Sequence, residues 1–169
     1  MRAFLDRLYN AAGVLAALFL IGTLAMVLVG IAGRLLYFHV PGTDSYAGYC
    51  MAAVGFLALA HTLKRGEHIR VTLLIEHLGA TAQRGLELWS LGVATLLAAL
   101  FAFYSARLAV QSWQFNDIST GNDAMPLWIP QLAMAFGTLI LFIALVDEFV
   151  LELKGARLRK APVEMLRNE

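Results

Sequence analysis

The feature that most constrains this chain is a run of about 26 residues without a charge, from Leu8 to Gly33. A helix of that length rises by about 39 Å, which exceeds the roughly 30 Å apolar core of a bilayer. Three further apolar runs follow along the chain. Because a helix satisfies its own backbone hydrogen bonds in lipid, the pattern predicts an all-α integral membrane protein.

Composition agrees with this interpretation. Hydrophobic residues make up 60% of the 169 residues and charged residues 15%, whereas soluble domains are nearer half apolar and a quarter charged. The formal net charge is +1 and no basic face stands out, so nucleic acid is not an expected partner. The single cysteine, Cys50, predicts no disulfide framework. The first apolar run is longer than a signal-peptide core of about 7–15 residues, which predicts a retained anchor.

Four apolar runs predict four membrane-spanning helices in a single membrane domain over residues 1–169. Turn signals separate them; Pro41-Gly42, for example, lies in the first connection. The predicted spans cover residues 11–36, 46–63, 86–110 and 126–146.

Residues 69–84, between the second and third spans, are too polar to cross a membrane. Their apolar positions nevertheless recur on one helical face, from Val71 to Ala82. We predict an amphipathic helix that lies in the headgroup plane on the cytoplasmic side. A loop helix packed against a partner protein is the alternative.

The cations are distributed unevenly. Of the 13 lysines and arginines, only Arg34 and Arg107 lie towards one side of the predicted membrane. The positive-inside rule therefore predicts that both termini are cytoplasmic. Arg34 itself is either a snorkelling interface arginine or a buried contact with a partner.

Small side chains recur every fourth residue in the third span, which is typical of a close helix–helix seam in lipid. The members of this small-residue ridge are Ser90, Ala94, Ala98, Ala102 and Ala106. The second span carries a shorter pair of the same kind, Gly48 and Ala52.

The central parts of the predicted spans carry no ionisable side chain. Glu87, Arg107 and Asp147 are expected at span ends, where water and headgroups solvate charges. A proton-coupled pump would need a carboxylate inside a helix, so the sequence argues against an autonomous pump. It also contains no nucleophile–base pair, metal-ligand spacing or phosphate loop, so we predict no enzyme, no cofactor and no metal site.

The histidines allow one alternative function, a haem-bearing membrane anchor of a quinone-linked oxidoreductase. Haem ligation of that kind needs two histidines at one depth on facing helices. His39 is predicted outside, His61 near the inner end of the second span, and His68 and His77 in the cytoplasmic segment. His61 is therefore interpreted as a polar contact at a helix end.

The charged hinge between the second and third spans carries the most specific motif. It reads Lys64-Arg65-Gly66-Glu67-His68-Ile69-Arg70-Val71 and follows Gly55-Phe56. This pattern resembles the small membrane subunit of tripartite ATP-independent periplasmic (TRAP) transporters. The acidic residue common in that family after the His-Ile-x-Val run is Thr72 here.

Two more motifs support the resemblance. Arg34 with Tyr37 is similar to the arginine and aromatic that close the family's first span. Residues 125–131, with Gly137 after them, are similar to the proline-rich start of its fourth span. The family often has a Trp and an acidic pair ahead of the second span, where this chain has Gly42, Asp44 and Ser45.

The resemblance implies a helper subunit in a sodium-coupled importer of an organic acid in a bacterial inner membrane. Its implied partners are the large membrane subunit, a periplasmic substrate-binding protein and the lipid bilayer. Besides the ridge, the candidate contacts with partner or lipid are Arg34, Lys64, Arg65, Gly66, His68 and Arg70. The candidate docking face on the periplasmic side consists of Asp44, Asp117, Asp123 and Trp128.

The hinge is also expected to position the amphipathic helix. Lys64, Arg65 and Arg70 would hold it at the anionic leaflet, at about 1 kcal/mol for each cation. Gly66 would permit the sharp corner after the second span, and His68 would cap that corner or stay solvated. The alternative is that these cations only set the topology.

Overall fold

The computed structural model describes residues 2–38, 40–65, 80–121 and 123–154. Within these residues the chain forms four α-helices: α1 (Arg2–Leu35), α2 (Thr43–Arg65), α3 (Ala80–Gln114) and α4 (Trp128–Leu153). Each contains a stretch long and apolar enough to cross a membrane. The only β-structure in the described residues is one isolated bridge. The prediction of an all-helical chain with four helices of membrane-spanning length is confirmed.

The helices are longer than the predicted spans. Residues 2–10, ahead of the first predicted span, belong to α1 without a break. Residues 80–84, predicted as the end of the interfacial helix, form the beginning of α3. The rest of that predicted helix, residues 69–79, lies outside the described residues.

The four helices stand in the lateral order α1–α2–α4–α3. α1 packs on α2, α2 on α4, and α4 on α3, while α1 and α4 barely touch. Phe101 of α3 reaches across to Phe56 of α2, with the rings edge to face and their centroids 5.9 Å apart. α2 and α4 run in the same direction, since Phe56 and Lys64 of α2 contact Gly137 and Asp147 of α4 in the same order along the two helices.

Small side chains fill the seams between the helices. Among the residues that the structure describes, most of the buried apolar ones are alanines, and only Tyr9, Leu57 and Leu145 are larger. Lipid tails are as apolar as leucine, so helices in a membrane associate through close backbone approach rather than through hydrophobic burial. The large aliphatic and aromatic side chains face outward instead, as on the exposed side of α1 from Val14 to Ile31.

Two turns shape the end of the molecule where α1 meets α2. Tyr37 adopts a positive φ of 58° after α1, and the Phe38 amide donates to the Gly33 carbonyl at 3.1 Å. Gly42 has a φ of +80° just before α2, and a β-carbon there would lie 2.8 Å from Cβ of Asp123. Glycine is needed at position 42 for both reasons.

The connection from α3 to α4 folds back on itself at the same end. Ile118 and Pro126 form an antiparallel bridge, the Ser119 amide donates to the Met125 carbonyl at 2.8 Å, and the Leu127 amide donates to the Asp117 carbonyl at 2.9 Å. This narrow loop carries its tip towards the start of α2.

Candidate functional site

The C-terminal ends of α2 and α4 are joined by a charge cluster. We call this end of the bundle, which is predicted to face the cytoplasm, the inner end and the opposite end the outer end. Nζ of Lys64 contacts the Asp147 carboxylate and lies 3.1 Å from Oε1 of Glu148. All three side chains are mostly buried, with 20%, 24% and 15% of their surface exposed. Ion pairs with that degree of burial are screened less than surface pairs, so this inner charge cluster ties the two helices together.

Tyr9 of α1 completes the cluster from the other side. Its ring lies beneath Lys64, with Nζ 5.3 Å from the ring centroid, which is within the range of a cation–π contact. Tyr9 is 2% exposed and packs against Ala60 of α2 and Ala144 of α4. Its hydroxyl has no hydrogen-bond partner within the described part of the chain. Three helices therefore meet at the Lys64 ammonium group.

Sequence reasoning placed Lys64 among the candidate contacts with a partner or lipid and Asp147 at a solvated span end. The structure instead turns the two side chains towards each other. The available signal was that the second and fourth spans run in parallel and end in opposite charges at the same face. Arg65, next to Lys64, is exposed at the end of α2.

His61 lies one turn above Lys64 and is half-buried. Gly13 of α1 approaches it so closely that a β-carbon would come within 2.9 Å of the imidazole ring. The described residues contain no group of three or more His, Cys, Asp and Glu side chains placed to hold a metal ion.

A hydrogen-bond network joins α2 to the loop at the outer end. The Tyr49 hydroxyl lies 2.9 Å from both Oδ2 of Asp123 and Oγ of Ser119. The Ser119 hydroxyl donates to Oδ1 of Asp123 at 2.9 Å, and the Gly121 amide donates to Oγ of Ser119 at 3.2 Å. We call these residues, Tyr49, Ser119, Gly121 and Asp123, the outer network.

Asp123 is held in its ionised form by this network. Partial desolvation acts to raise its pKa, but the hydrogen bonds from Ser119 and Tyr49 outweigh that effect and place the pKa below its ordinary value. Sequence reasoning assigned Asp123 to the docking face and did not identify Tyr49 or Ser119. Asp123 thus makes contacts within the chain.

The other docking candidates are placed differently. Asp117 is exposed in the loop, and Trp128 is half-buried at the start of α4. Asp44 is exposed at the start of α2, where its carboxylate lies 3.5 Å from the guanidinium of Arg34. That pair is largely solvent-exposed, at 76% and 88%, so it contributes little to stability.

The structure divides the small-residue ridge of α3. Ala98 and Ala102 are buried against α4, Ala94 is half-buried, and Ser90 and Ala106 are exposed. A four-residue spacing drifts around a helix of 3.6 residues per turn by about 40° at each step. The buried face therefore leaves the ridge and continues through Ser105, Ala109 and Ser112.

The model of one family matches most of the chain. It is the DctQ component of tripartite ATP-independent periplasmic transporters, and the match covers residues 23–155. The chain belongs to this family. A comparison with curated proteins gives no match.

The DctQ component is part of a transporter and not an enzyme. This assignment decides against the redox-anchor alternative. The match includes α2, α3 and α4 but begins in the middle of α1, so Tyr9 lies outside it.

One residue of the resemblance, Gly137, acquires a clear structural role within this DctQ chain. Gly137 of α4 lies against the backbone of Phe56, where a β-carbon would come within 2.6 Å of the Phe56 carbonyl. Gly55, by contrast, would meet nothing within 4 Å. Of the hinge motif, Gly66, His68 and Arg70 lie outside the described residues.

Proposed function

We propose that this chain is the small permease subunit of a sodium-coupled TRAP transporter that imports an organic acid across a bacterial inner membrane. In this role it braces the large membrane subunit and helps to dock the periplasmic binding protein. Both termini face the cytoplasm. Membership of the DctQ family is the observation that carries the proposal.

The contacts within the chain suit a bracing role. The inner charge cluster ties α1, α2 and α4 at one end, and the outer network ties α2 to the loop at the other. A helix bundle fastened at both ends resists rotation and tilting of its members. Such a bundle can hold one part of a partner protein in a fixed position while the rest of that partner moves.

The distribution of charge favours a helper over a transport path. Within the described helices, most charged side chains lie near the helix ends; in α3, Glu87 and Arg107 are each seven residues from an end. Intramembrane carboxylates mark ion and proton paths in transporters. The described spans hold no carboxylate near their middle, so substrate and sodium are assigned to the large subunit.

Deletion of the gene for this chain tests the proposal. Uptake of the radiolabelled substrate should be lost and should return when the chain is supplied in trans. The large subunit should co-purify with the tagged chain from native membranes. Uptake that continues without the chain would contradict the proposal, as would a neutral substitution here that changes substrate choice or sodium stoichiometry.

Orientation is tested separately by reporter fusions. A fusion at Thr120, in the loop between α3 and α4, should report the periplasm, and a fusion at Glu169 should report the cytoplasm. The expected difference follows from the cation distribution. Both fusions on one side would contradict the topology.

A further inference from the structure

α3 carries a polar strip on the side that faces away from the other described helices. Its members recur at i, i+3, i+7 and i+10, which places them on one helical face. That face is opposite the buried one, which contains Ala98, Ala102 and Ser105. The members of this outer strip are Tyr104, Arg107, Gln111 and Gln114.

Arg107 lies deeper than the predicted span end suggested. α3 continues for seven residues beyond it, or about 10 Å at 1.5 Å per residue. In the other direction, Arg107 is about 22 Å along α3 from Gly92, which packs against Phe149 beside the inner charge cluster. If that cluster marks the inner edge of an apolar core of about 30 Å, Arg107 lies within the core.

The polar groups of the strip lack partners in the described part of the chain. No carboxylate there forms an ion pair with Arg107, and neither the exposed Tyr104 hydroxyl nor the Gln111 amide forms a side-chain hydrogen bond. Phe103 and Val110 flank Arg107 and form a shallow recess of about 410 Å³ around it. Lipid tails supply no hydrogen-bond acceptor, so burying polar groups at this depth costs free energy unless another protein surface covers them.

The outward face of α1 shows the contrast. Between Val14 and Ile31 its exposed large side chains are all aliphatic, including Leu18, Leu24 and Leu28. Lipid tails can cover such an aliphatic surface, because it has no polar group that needs a hydrogen-bond partner. The two outer helices of the row therefore present different surfaces, one suited to lipid and one to acceptor groups.

We propose that the outer strip of α3 is the surface on which the large membrane subunit packs, with a carboxylate of one of its membrane helices opposite Arg107. This inference rests on the proposed function, because that function supplies the partner. An unpaired guanidinium in a recess selects a planar anionic group, and a carboxylate accepts two parallel hydrogen bonds from it. On either side of Arg107, the Tyr104 hydroxyl adds a hydrogen-bond donor and Gln111 adds an amide.

Photo-crosslinking tests the contact directly in the native membrane. A photoreactive amino acid at Gln111 should form an adduct with the large subunit, while the same group at Leu24 of α1 should react with lipid alone. Gln111 is chosen because the substitution leaves Arg107 in place. Adducts of Gln111 with lipid alone would overturn the inference and would indicate that Arg107 binds headgroup phosphate.

Substitution of Arg107 gives an independent measurement. Arg107→Leu should lower recovery of the large subunit with the tagged chain by roughly tenfold or more, and Arg107→Lys should retain more of it than Arg107→Leu. The isolated Arg107→Leu chain should melt like the parent, because the side chain faces outward. Normal recovery of the large subunit with Arg107→Leu would overturn this inference but not the proposed function. If the parent chain itself recovers no large subunit, the proposed function is overturned as well.

Discussion

Gly137 of α4 lies against the backbone of Phe56 in α2, at a distance that leaves no room for a side chain. A β-carbon on Gly137 would come within 2.6 Å of both the carbonyl carbon and the oxygen of Phe56. Backbone atoms cannot move aside as a flexible side chain can, so the separation of α2 and α4 depends on this glycine. The two residues stand near the middle of their helices.

The first prediction follows from this contact. Gly137→Ala should force α2 and α4 apart and destabilise the isolated chain by about 1–3 kcal/mol, measured as a lower melting temperature in detergent. Gly55→Ala is the matched control, because a β-carbon there meets nothing within 4 Å and alanine favours a helix. Equal melting of both variants would contradict the close approach.

The second prediction concerns the inner charge cluster. Lys64→Met should remove the cation that pairs with Asp147 and destabilise the chain by about 1–3 kcal/mol, since a mostly buried carboxylate then loses its partner. Combining it with Asp147→Asn should recover part of the loss, measured as a coupling energy in a double-mutant cycle. Arg65→Met, at an exposed neighbour, should change stability little; similar losses for the two single variants would contradict the pairing.

The third prediction is a pH dependence of the outer network. The folded-state pKa of Asp123 lies below its ordinary value, so its ionised form stabilises the loop fully above the unfolded-state pKa of about 3.9. That contribution should be lost as the pH falls through the folded-state pKa. Trp128, at the start of α4, should report the loosening through its fluorescence as the pH falls below about 4.

Asp123→Asn supplies the control for this titration. An amide cannot ionise, so the variant should lack the acid transition that depends on Asp123 and should resemble the acid form of the parent at pH 6. Tyr49→Phe should move the parent's transition to higher pH, because one hydrogen bond to the carboxylate is lost. A variant with the parent's pH profile would exclude Asp123 as the titrating group.

The fourth prediction uses the division of the ridge on α3. Ala98→Leu should overpack the seam with α4 and cost about 1–3 kcal/mol of stability. Ala106→Leu introduces the same side chain at an exposed position of the same ridge and should leave the isolated chain unaffected. The measurement is the difference in melting temperature between the two variants. Equal melting temperatures would contradict the orientation of α3 about its axis that buries Ala98 and exposes Ala106.

The amino-acid sequence by itself determined the number and type of the long helices. A charge-free run of about 26 residues, such as Leu8–Gly33, has one stable form in lipid, because only a helix pairs its own backbone groups there. The hinge motif at residues 64–71 with Gly55-Phe56 before it, together with residues 125–131 and Gly137, also indicated the family, since these motifs depend on order and spacing along the chain.

Only the tertiary structure decided which side chains meet. Lys64 and Asp147 are 83 positions apart, and their contact depends on α2 and α4 being neighbours with matched depth. Likewise, Ala98 is buried and Ala106 exposed because of the rotation of α3 about its axis, which a spacing of four residues does not specify. Lateral order, depth and rotation arise from many close contacts between small residues such as Gly137, and each of these acts across the bundle rather than along the chain.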